Sequence, residues 1–150
     1  GSHLPLLFLC INNTSGTVVE LGSGLISTFL LRDACNELKR DFYTFDSNKE
    51  WCIKTESKYI KNWDGTDEWI RKCGLVFIDE APGEHRKKSI EKYAEIAQVI
   101  VVHDTEDSAN YVYGMSPILN SFKYRLDYEC AGYPRTTAVS NFIDFSKWQL

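Results

Sequence analysis

Two short, uninterrupted apolar runs constrain the fold of this chain more than any other feature of its sequence. Residues 75–78 (LVFI) and 99–102 (VIVV) are entirely apolar and rich in β-branched side chains, which is typical of strands buried on both faces. Residues 84–97, which lie between them, contain many helix formers with apolar side chains at helical spacing. This order predicts two parallel strands joined by a crossover helix, the repeating unit of an α/β sheet.

The same alternation continues on either side of this unit. The remaining predicted strands are 17–21, 42–45, a weak one at 59–63, and the half-exposed pair 122–129 and 136–143. The remaining predicted helices are 27–38, 49–55 and 4–11, although a strand is the alternative for 4–11, and the stretch after residue 105 has an irregular pattern. We therefore expect an α/β fold with a Rossmann-like, mostly parallel sheet, helices on both faces and a C-terminal antiparallel hairpin at the edge.

The composition is that of one globular domain. The chain has 150 residues, 43% hydrophobic and 25% charged, so we expect residues 4–150 to form one domain without a structural metal. Residues 1–3 (GSH) resemble a remnant of cloning, and the domain is compatible with a longer parent chain that has neighbouring domains. No apolar stretch approaches the roughly 20 residues that a membrane span needs.

Charge and cysteine content narrow the expected partners and compartment. Lys and Arg number 17 and Asp and Glu 21, which gives a net charge of −4. Because no long basic run is present, a nucleic-acid partner is disfavoured. The 5 cysteines are scattered and form no CxxC pair, which argues against a zinc site and for a reducing compartment. We therefore expect a cytoplasmic protein.

Polar residues follow almost every predicted strand, at the edge where open parallel sheets bind ligands. Gly22 and Gly24 let the backbone approach a ligand at the start of a helix, and Asp46 stands where a carboxylate binds a ribose diol. Together they favour an adenosine-type ligand. The purely structural alternatives are a positive-φ turn for the two glycines and a strand-end or helix-cap role for Asp46. Ser27 occupies the third glycine position of a dinucleotide fingerprint, so an NAD-dependent oxidoreductase is the weaker alternative.

Three motifs in order resemble the class I S-adenosylmethionine-dependent methyltransferases: residues 18–24 (VVELGSG), 45–46 (FD) and 77–79 (FID), followed by the terminal hairpin. The resemblance implies that the acid and glycines of the first motif hold the methionine part of the cofactor. It also implies that the second acid binds the ribose and that residues after the third strand flank the adenine. The implied cofactor residues are Glu20, Gly22, Ser23, Gly24, Asp46, Ser47, Trp63 and Asp64. Ile26 departs from the pattern, because many members have a third glycine there.

A narrower resemblance concerns residues 77–86 (FIDEAPGEHR) and 101–105 (VVHDT), which are similar to small-molecule and sugar O-methyltransferases of the macrocin-type and glycan-modifying groups. It implies that Asp79 and Asp104 hold Mg²⁺ or Mn²⁺ and that His85 is the catalytic base. His103 stands where a second acidic or amide ligand is common, so direct base catalysis by Asp79 or His103 is the alternative.

The acceptor is expected to bind close to these residues. Arg86, Tyr111 and Tyr113 are the candidate substrate-binding residues, although a solvated helix face and core packing are the simpler explanations for them. Turn caps and a solvated first helical turn are likewise the structural alternatives for Asp79, Asp104 and His85. The expected function is S-adenosylmethionine-dependent methyl transfer to a hydroxyl of a sugar or glycan. A non-catalytic cofactor- or glycan-binding domain is the alternative from a different class.

Overall fold

The computed structural model describes residues 2–63 and 70–148. The helices are α1 (Leu4–Asn12), α2 (Ser27–Glu37), α3 (Lys49–Thr55), α4 (Arg86–Tyr93), α5 (Asp107–Tyr113) and α6 (Ser116–Leu119). The strands are β1 (Val18–Leu21), β2 (Phe42–Asp46), β3 (Lys58–Tyr59), β4 (Cys73–Ile78), β5 (Ala97–His103), β6 (Tyr124–Tyr128) and β7 (Thr136–Ser140). Within these described ranges, no helix has the length and apolarity needed to cross a membrane.

All seven strands form one sheet in the order β3-β2-β1-β4-β5-β7-β6. Strands β1 to β5 are parallel, whereas β7 runs antiparallel to both β5 and β6. The predicted fold class is therefore confirmed, including the antiparallel hairpin. Because β1 lies between β2 and β4, the sheet has its switch point there, and the carboxyl ends of β1, β2, β4 and β5 share one edge, which we call the ligand edge.

The core consists of two apolar layers, one on each face of the sheet. Leu75 and Phe77 of β4 face the layer that includes residues of α1 and α2, and Val76 and Ile78 face the layer with residues of α4 and α6. Successive side chains of a strand point to opposite faces, so a strand covered on both sides needs apolar residues at every position. Burying each such side chain stabilises the fold by about 1.5–3 kcal/mol. This is why the two apolar runs become central strands.

Several element boundaries differ from the sequence-based expectation. The helix predicted at 84–97 is a short 3-10 turn followed by α4, because Ala97 pairs with Cys73 as part of β5. The third strand is only Lys58–Tyr59, ahead of the predicted 59–63. The stretch predicted to be irregular contains α5 and α6; α5 ends at a glycine with positive φ, and α6 has a proline in its first turn. Both are ordinary helix-boundary signals.

Candidate functional site

The turn after β1 meets the end of β4 with no space between them. Gly22 has φ +90°, and a Cβ at this position would lie 2.4 Å from the carbonyl carbon and oxygen of Asp79. The Asp79 amide donates to the Leu21 carbonyl (2.8 Å), which holds the two strand ends together. Only glycine combines this φ with this close approach. The glycine turn and the first acid of the predicted catalytic group are therefore direct neighbours.

Asp46 closes the same turn from the side of β2. Its Oδ2 accepts from the Ser23 amide (2.9 Å) and from the Ser23 hydroxyl (3.2 Å), and its Oδ1 accepts from the Asn48 amide (2.8 Å). A carboxylate offers about four acceptor positions. Asp46 therefore orders the turn and still has acceptor capacity at Oδ1, in a half-buried position.

Glu20 lies beneath the turn and is completely buried. Its Oε2 accepts from the hydroxyls of Thr28 and Thr44 (both 2.6 Å), and the Thr28 hydroxyl accepts in turn from the Gly24 amide (2.9 Å). Burial raises the pKa of Glu20 to about 7, although the hydroxyl hydrogen bonds favour the ionised form. Glu20 therefore supports the turn from below and titrates near neutral pH.

Two of the other predicted cofactor residues converge on the segment after β4. The Trp63 indole donates to the carbonyl of Ala81 (3.1 Å), and the Ser47 hydroxyl donates to the same carbonyl (3.4 Å). Trp63 is buried, whereas Ser47 is half-buried. Asp64 lies outside the described residues. The chain segments that follow β2, β3 and β4 thus meet at the ligand edge.

Four side chains form an ionic cluster at the ends of β4 and β5. The Arg86 guanidinium donates through Nη2 to Asp79 (2.9 Å) and through Nη1 to Asp104 (3.1 Å). His103 Nδ1 lies 3.4 Å from the Asp79 carboxylate and 3.2 Å from that of Asp104. The Arg86 side chain is only 6% exposed, so its charge lies between the two acids and out of solvent.

The surroundings of His103 favour its protonated form. Burial, and to a smaller extent the charge of Arg86, lower its pKa, but the hydrogen bond and negative charge of Asp79 and the charge of Asp104 outweigh them and raise the pKa above its usual value. Because Nδ1 faces these acids, Nε2 is the nitrogen that faces outward, 3.3 Å from the Ser2 hydroxyl. His3 packs edge-on against His103, and burial lowers the pKa of His3 to about 4. An imidazole that carboxylates orient through one of its nitrogens has the arrangement of a general base.

The same cluster is the candidate metal site. Within the described ranges, ligand atoms of Asp79, His103 and Asp104 lie within 4.8 Å of one another, and carboxylates with imidazole are a plausible donor set. Both carboxylates, however, are already paired with Arg86. A divalent cation 4 Å from a guanidinium is repelled by on the order of 8 kcal/mol at an effective dielectric constant of 20. The donor set therefore does not fit the implied Mg²⁺ or Mn²⁺ while Arg86 is in place.

The remaining predicted residues of the site are His85, Tyr113 and Tyr111, and their surroundings differ. His85 ends the 3-10 turn before α4, and in the part of the chain that the structure describes its buried Nδ1 has no hydrogen-bond partner. The Tyr113 ring packs against Gly83 and lies over the Arg86 guanidinium, 5.3 Å from ring centroid to Cζ. Tyr111 is 92% exposed. Tyr113 thus covers the ionic cluster, whereas Tyr111 projects into solvent.

The residues that support the site are not apparent from the sequence motifs. Thr28 and Thr44 hold Glu20, and Ser2 and His3 cover the outer face of His103. Thr44 follows from the strand register, since it pairs directly with Glu20, and a polar residue opposite a buried acid is the signal that points to it. Ser2 and His3 belong to residues 1–3, which resemble a remnant of cloning, so the sequence assigns them no role.

Comparison with known proteins identifies the fold. No family model matches the chain, and neither does any curated protein. Similar solved structures include cofactor-bound Rv0187 from MTB (TM-score 0.62), the METTL16 MTase domain (0.59) and a human methyltransferase 10 domain containing protein (0.60). Their identities to this chain are 10%, 11% and 7%; the matches cover 95%, 93% and 95% of this chain and 80%, 68% and 82% of theirs. The chain thus has the Rossmann-like fold of class I methyltransferase domains.

Proposed function

We propose that this protein is an S-adenosylmethionine-dependent methyltransferase that methylates a hydroxyl of a sugar or glycan, with His103 as general base. One observation carries the proposal: an unbroken contact series along the ligand edge. Gly22 abuts the backbone of Asp79, and the Asp79 carboxylate lies 3.4 Å from His103 Nδ1. A cofactor held at the glycine turn is therefore next to a base that is oriented by carboxylates. The methyltransferase fold supports the same reaction class.

The ligand edge fits the adenosyl and methionine parts of this cofactor. Gly22 lets the turn pack directly against the Asp79 backbone, and the acceptor capacity of Asp46 Oδ1 suits a ribose hydroxyl. Trp63 is the described candidate for the residue beside the adenine, and its indole and the Ser47 hydroxyl both donate to the Ala81 carbonyl. Glu20 acts indirectly, through the Thr28 hydroxyl that holds the Gly24 amide. When bound, S-adenosylmethionine supplies an electrophilic methyl carbon on a sulfonium.

His103 has the geometry to take the proton that the acceptor hydroxyl loses. The acceptor oxygen forms a bond to the methyl carbon while the carbon–sulfur bond breaks, and the hydroxyl proton moves to His103 Nε2. The electron pair of the broken bond stays on sulfur, which becomes a neutral thioether. Asp79 and Asp104 stabilise the resulting imidazolium, since both lie against its Nδ1. A positioned base of this kind contributes about 10²–10⁴-fold to the rate.

The choice of a sugar hydroxyl as acceptor rests on three considerations. The first is the resemblance of residues 77–86 and 101–105 to sugar O-methyltransferases. The second is that a sugar hydroxyl is a weak acid, so its methylation needs a base such as His103. The net charge of −4 disfavours a polyanionic acceptor.

Calorimetry and mass spectrometry test the proposal in two stages. We expect S-adenosylhomocysteine to bind the protein, and a pool of glycans incubated with S-adenosylmethionine to yield products one CH₂ heavier. His103→Ala should retain S-adenosylhomocysteine binding and lower methyl transfer by about 10²–10⁴-fold. Absence of S-adenosylhomocysteine binding would falsify the proposal. A methylated RNA with unmodified glycans would refute the acceptor, and a loss in His85→Ala but not in His103→Ala would refute the base.

A further inference from the structure

We infer that Asp46 accepts only one of the two ribose hydroxyls of the cofactor, and that Ser23 is the residue that imposes this limit. The inference rests on the proposed function and deepens it, because it concerns how the same site recognises the ribose. The position of Asp46 in the sequence predicts a carboxylate that binds the ribose diol. In the structure, the protein itself uses most of the acceptor positions of this carboxylate.

The acceptor positions of the Asp46 carboxylate can be counted. An ionised carboxylate has about four lone-pair positions, shared equally by its two oxygens. Oδ2 receives the Ser23 amide (2.9 Å) and the Ser23 hydroxyl (3.2 Å), and Oδ1 receives the Asn48 amide (2.8 Å). One position therefore remains, on Oδ1. A single ribose hydroxyl fills it, and the other hydroxyl of the diol finds no acceptor on Asp46.

The Ser23 hydroxyl belongs to a cluster of hydroxyl groups. Its Oγ lies 2.9 Å from Thr55 Oγ1 and 3.1 Å from Ser57 Oγ, and the last two atoms are 2.9 Å apart. Each hydroxyl has one proton to donate. Ser23 is the member that also contacts a carboxylate, and a hydrogen bond to a charged acceptor is roughly twice as strong as one between neutral groups. The Ser23 proton is therefore directed to Asp46, while Thr55 and Ser57 donate within the cluster or to the Trp51 carbonyl.

The remaining contacts of Ser23 keep its hydroxyl in this position. Its amide donates to Asp46, and its carbonyl accepts from the Trp51 indole. Ser23 is buried, and Thr55 beneath it is completely buried. Rotation of the hydroxyl away from Asp46 is unfavourable, because it removes a partner from polar groups in a buried place. The cofactor therefore meets a carboxylate whose Oδ2 is filled before binding.

Calorimetry with ribose-modified ligands tests the inference on the whole chain and without turnover. The probes are S-adenosylhomocysteine and its 2′-deoxy and 3′-deoxy analogues. We expect one deoxy analogue to bind about 10- to 100-fold more weakly than S-adenosylhomocysteine, because it leaves a charged acceptor without its partner. The other analogue should bind within about threefold of S-adenosylhomocysteine, since the hydroxyl that it lacks has no acceptor on Asp46.

Ser23→Ala tests the residue that imposes the limit. It keeps the amide donor to Asp46 and removes the hydroxyl donor, which opens a second acceptor position, on Oδ2. Both deoxy analogues should then bind at least about tenfold more weakly than S-adenosylhomocysteine. Ser57→Ala is the matched control, because among the described residues the Ser57 hydroxyl contacts Ser23 and Thr55 rather than Asp46. This variant should retain one sensitive and one insensitive ribose hydroxyl.

The outcomes separate this inference from the proposed function. If S-adenosylhomocysteine does not bind, the proposed function and the inference fail together. If it binds but both deoxy analogues lose affinity equally, or neither loses any, the single-hydroxyl limit is overturned while the proposed cofactor site stands. An unchanged pattern in Ser23→Ala overturns the role of Ser23. The comparison of the three ligands uses the unsubstituted protein, so it decides the number of hydroxyls even where a variant does not fold.

Discussion

At the scale of single residues, Arg86 shows that the fold decides which groups a charged side chain binds. In the sequence it stands in a basic run and was expected to bind the acceptor. Its guanidinium instead has protein acceptors on every side: the carboxylates of Asp79 and Asp104 and the carbonyls of Glu80 and His103. We infer that Arg86 positions the two acids, and through them His103, and that the acceptor binds elsewhere.

Replacement of Arg86 should be costly for stability. In Arg86→Gln the carboxylates of Asp79 and Asp104 lose their shared cation in a partly buried place, which typically destabilises a protein by about 3–5 kcal/mol. Urea unfolding measures the difference. Glu56→Gln is the comparison, because it breaks the exposed Arg32–Glu56 pair, which is worth about 0–1 kcal/mol. Equal losses of stability in the two variants would contradict the inference that Arg86 holds Asp79 and Asp104 in position.

The pH dependence of methyl transfer tests the coupling between Asp104 and His103. The base acts in its neutral form, and the neighbouring acids raise the pKa of His103, so activity should rise with pH through that raised pKa. Asp104→Asn removes one charge, lowers the pKa of His103 and moves this rise to lower pH. Asn also tolerates the positive φ of this position (+54°), so the backbone should be preserved. A rise at the same pH in both proteins is the result that contradicts the coupling.

At the scale of elements, the turn from β1 into α2 depends on groups from neighbouring strands. The Gly22 amide donates to the carbonyl of Phe45 in β2 (2.9 Å), and Asp46 accepts from Ser23. Glu20 adds a buried contact to Thr44 of β2 and Thr28 of α2. The turn is therefore ordered by the packing of three elements, and substitutions in it should act on stability and on cofactor binding together.

Gly22→Ala should damage the turn far more than the same change at Gly16. Both glycines have positive φ (+90° and +86°), but a Cβ at Gly22 overlaps the Asp79 backbone, whereas nothing lies within 4 Å of a Cβ at Gly16. The φ alone costs about 1–2 kcal/mol at either position. We expect Gly22→Ala to be the less stable variant in urea and to lose S-adenosylhomocysteine affinity by more than about tenfold, equivalent to 1.4 kcal/mol. Similar behaviour of the two variants would show that the close approach to β4 is unimportant.

Glu20 should make the stability of this region depend on pH. Its pKa is raised from 4.5 to about 7 by burial, so the folded state binds a proton that the unfolded state has already lost. The contribution of Glu20 protonation to the free energy of unfolding is fully present below pH 4.5. It is lost as the pH rises through 7, a change on the order of 3 kcal/mol. Urea midpoints at pH 5 and 8 should therefore differ less in Glu20→Gln than in the parent. Glu37→Gln, at an exposed position of α2, should leave the pH dependence as it is in the parent.

At the scale of the whole molecule, the two apolar layers enclose most of the thiols. Cys10, Cys35, Cys52 and Cys73 are buried, and Cys130 is exposed. Burial raises the pKa of Cys35 to about 11, which further suppresses its reactivity at neutral pH. In the folded protein we expect a single thiol to react rapidly with a disulfide reagent, and Cys130→Ser to abolish that phase. A second rapidly reacting thiol would mean that one of the layers is open.

The sequence predicts the strands of this protein better than it predicts the contacts within the candidate site. Residues 75–78 and 99–102 lie inside β4 and β5 as expected, because a central strand needs apolar residues on both faces. The predicted end of the helix at residue 97 was wrong. Ala97 is a good helix former, but it pairs with Cys73 in the sheet, and strand pairing outweighs local helix propensity. For the site, the sequence located the strand ends but did not indicate which of their polar groups touch.

The sequence by itself therefore determines the features that depend on hydrophobic periodicity and local backbone geometry. The apolar runs specify a sheet covered on both faces, and the placement of Gly22 and Asp46 after consecutive strands specifies one edge as the ligand edge. Only the tertiary structure decided that Arg86 lies between Asp79 and Asp104 and that His103 turns Nδ1 towards those acids. The physical reason is that hydrogen bonds, ion pairs and pKa values depend on distances between segments far apart in the chain. Those distances do not exist until the strand order brings the segments together.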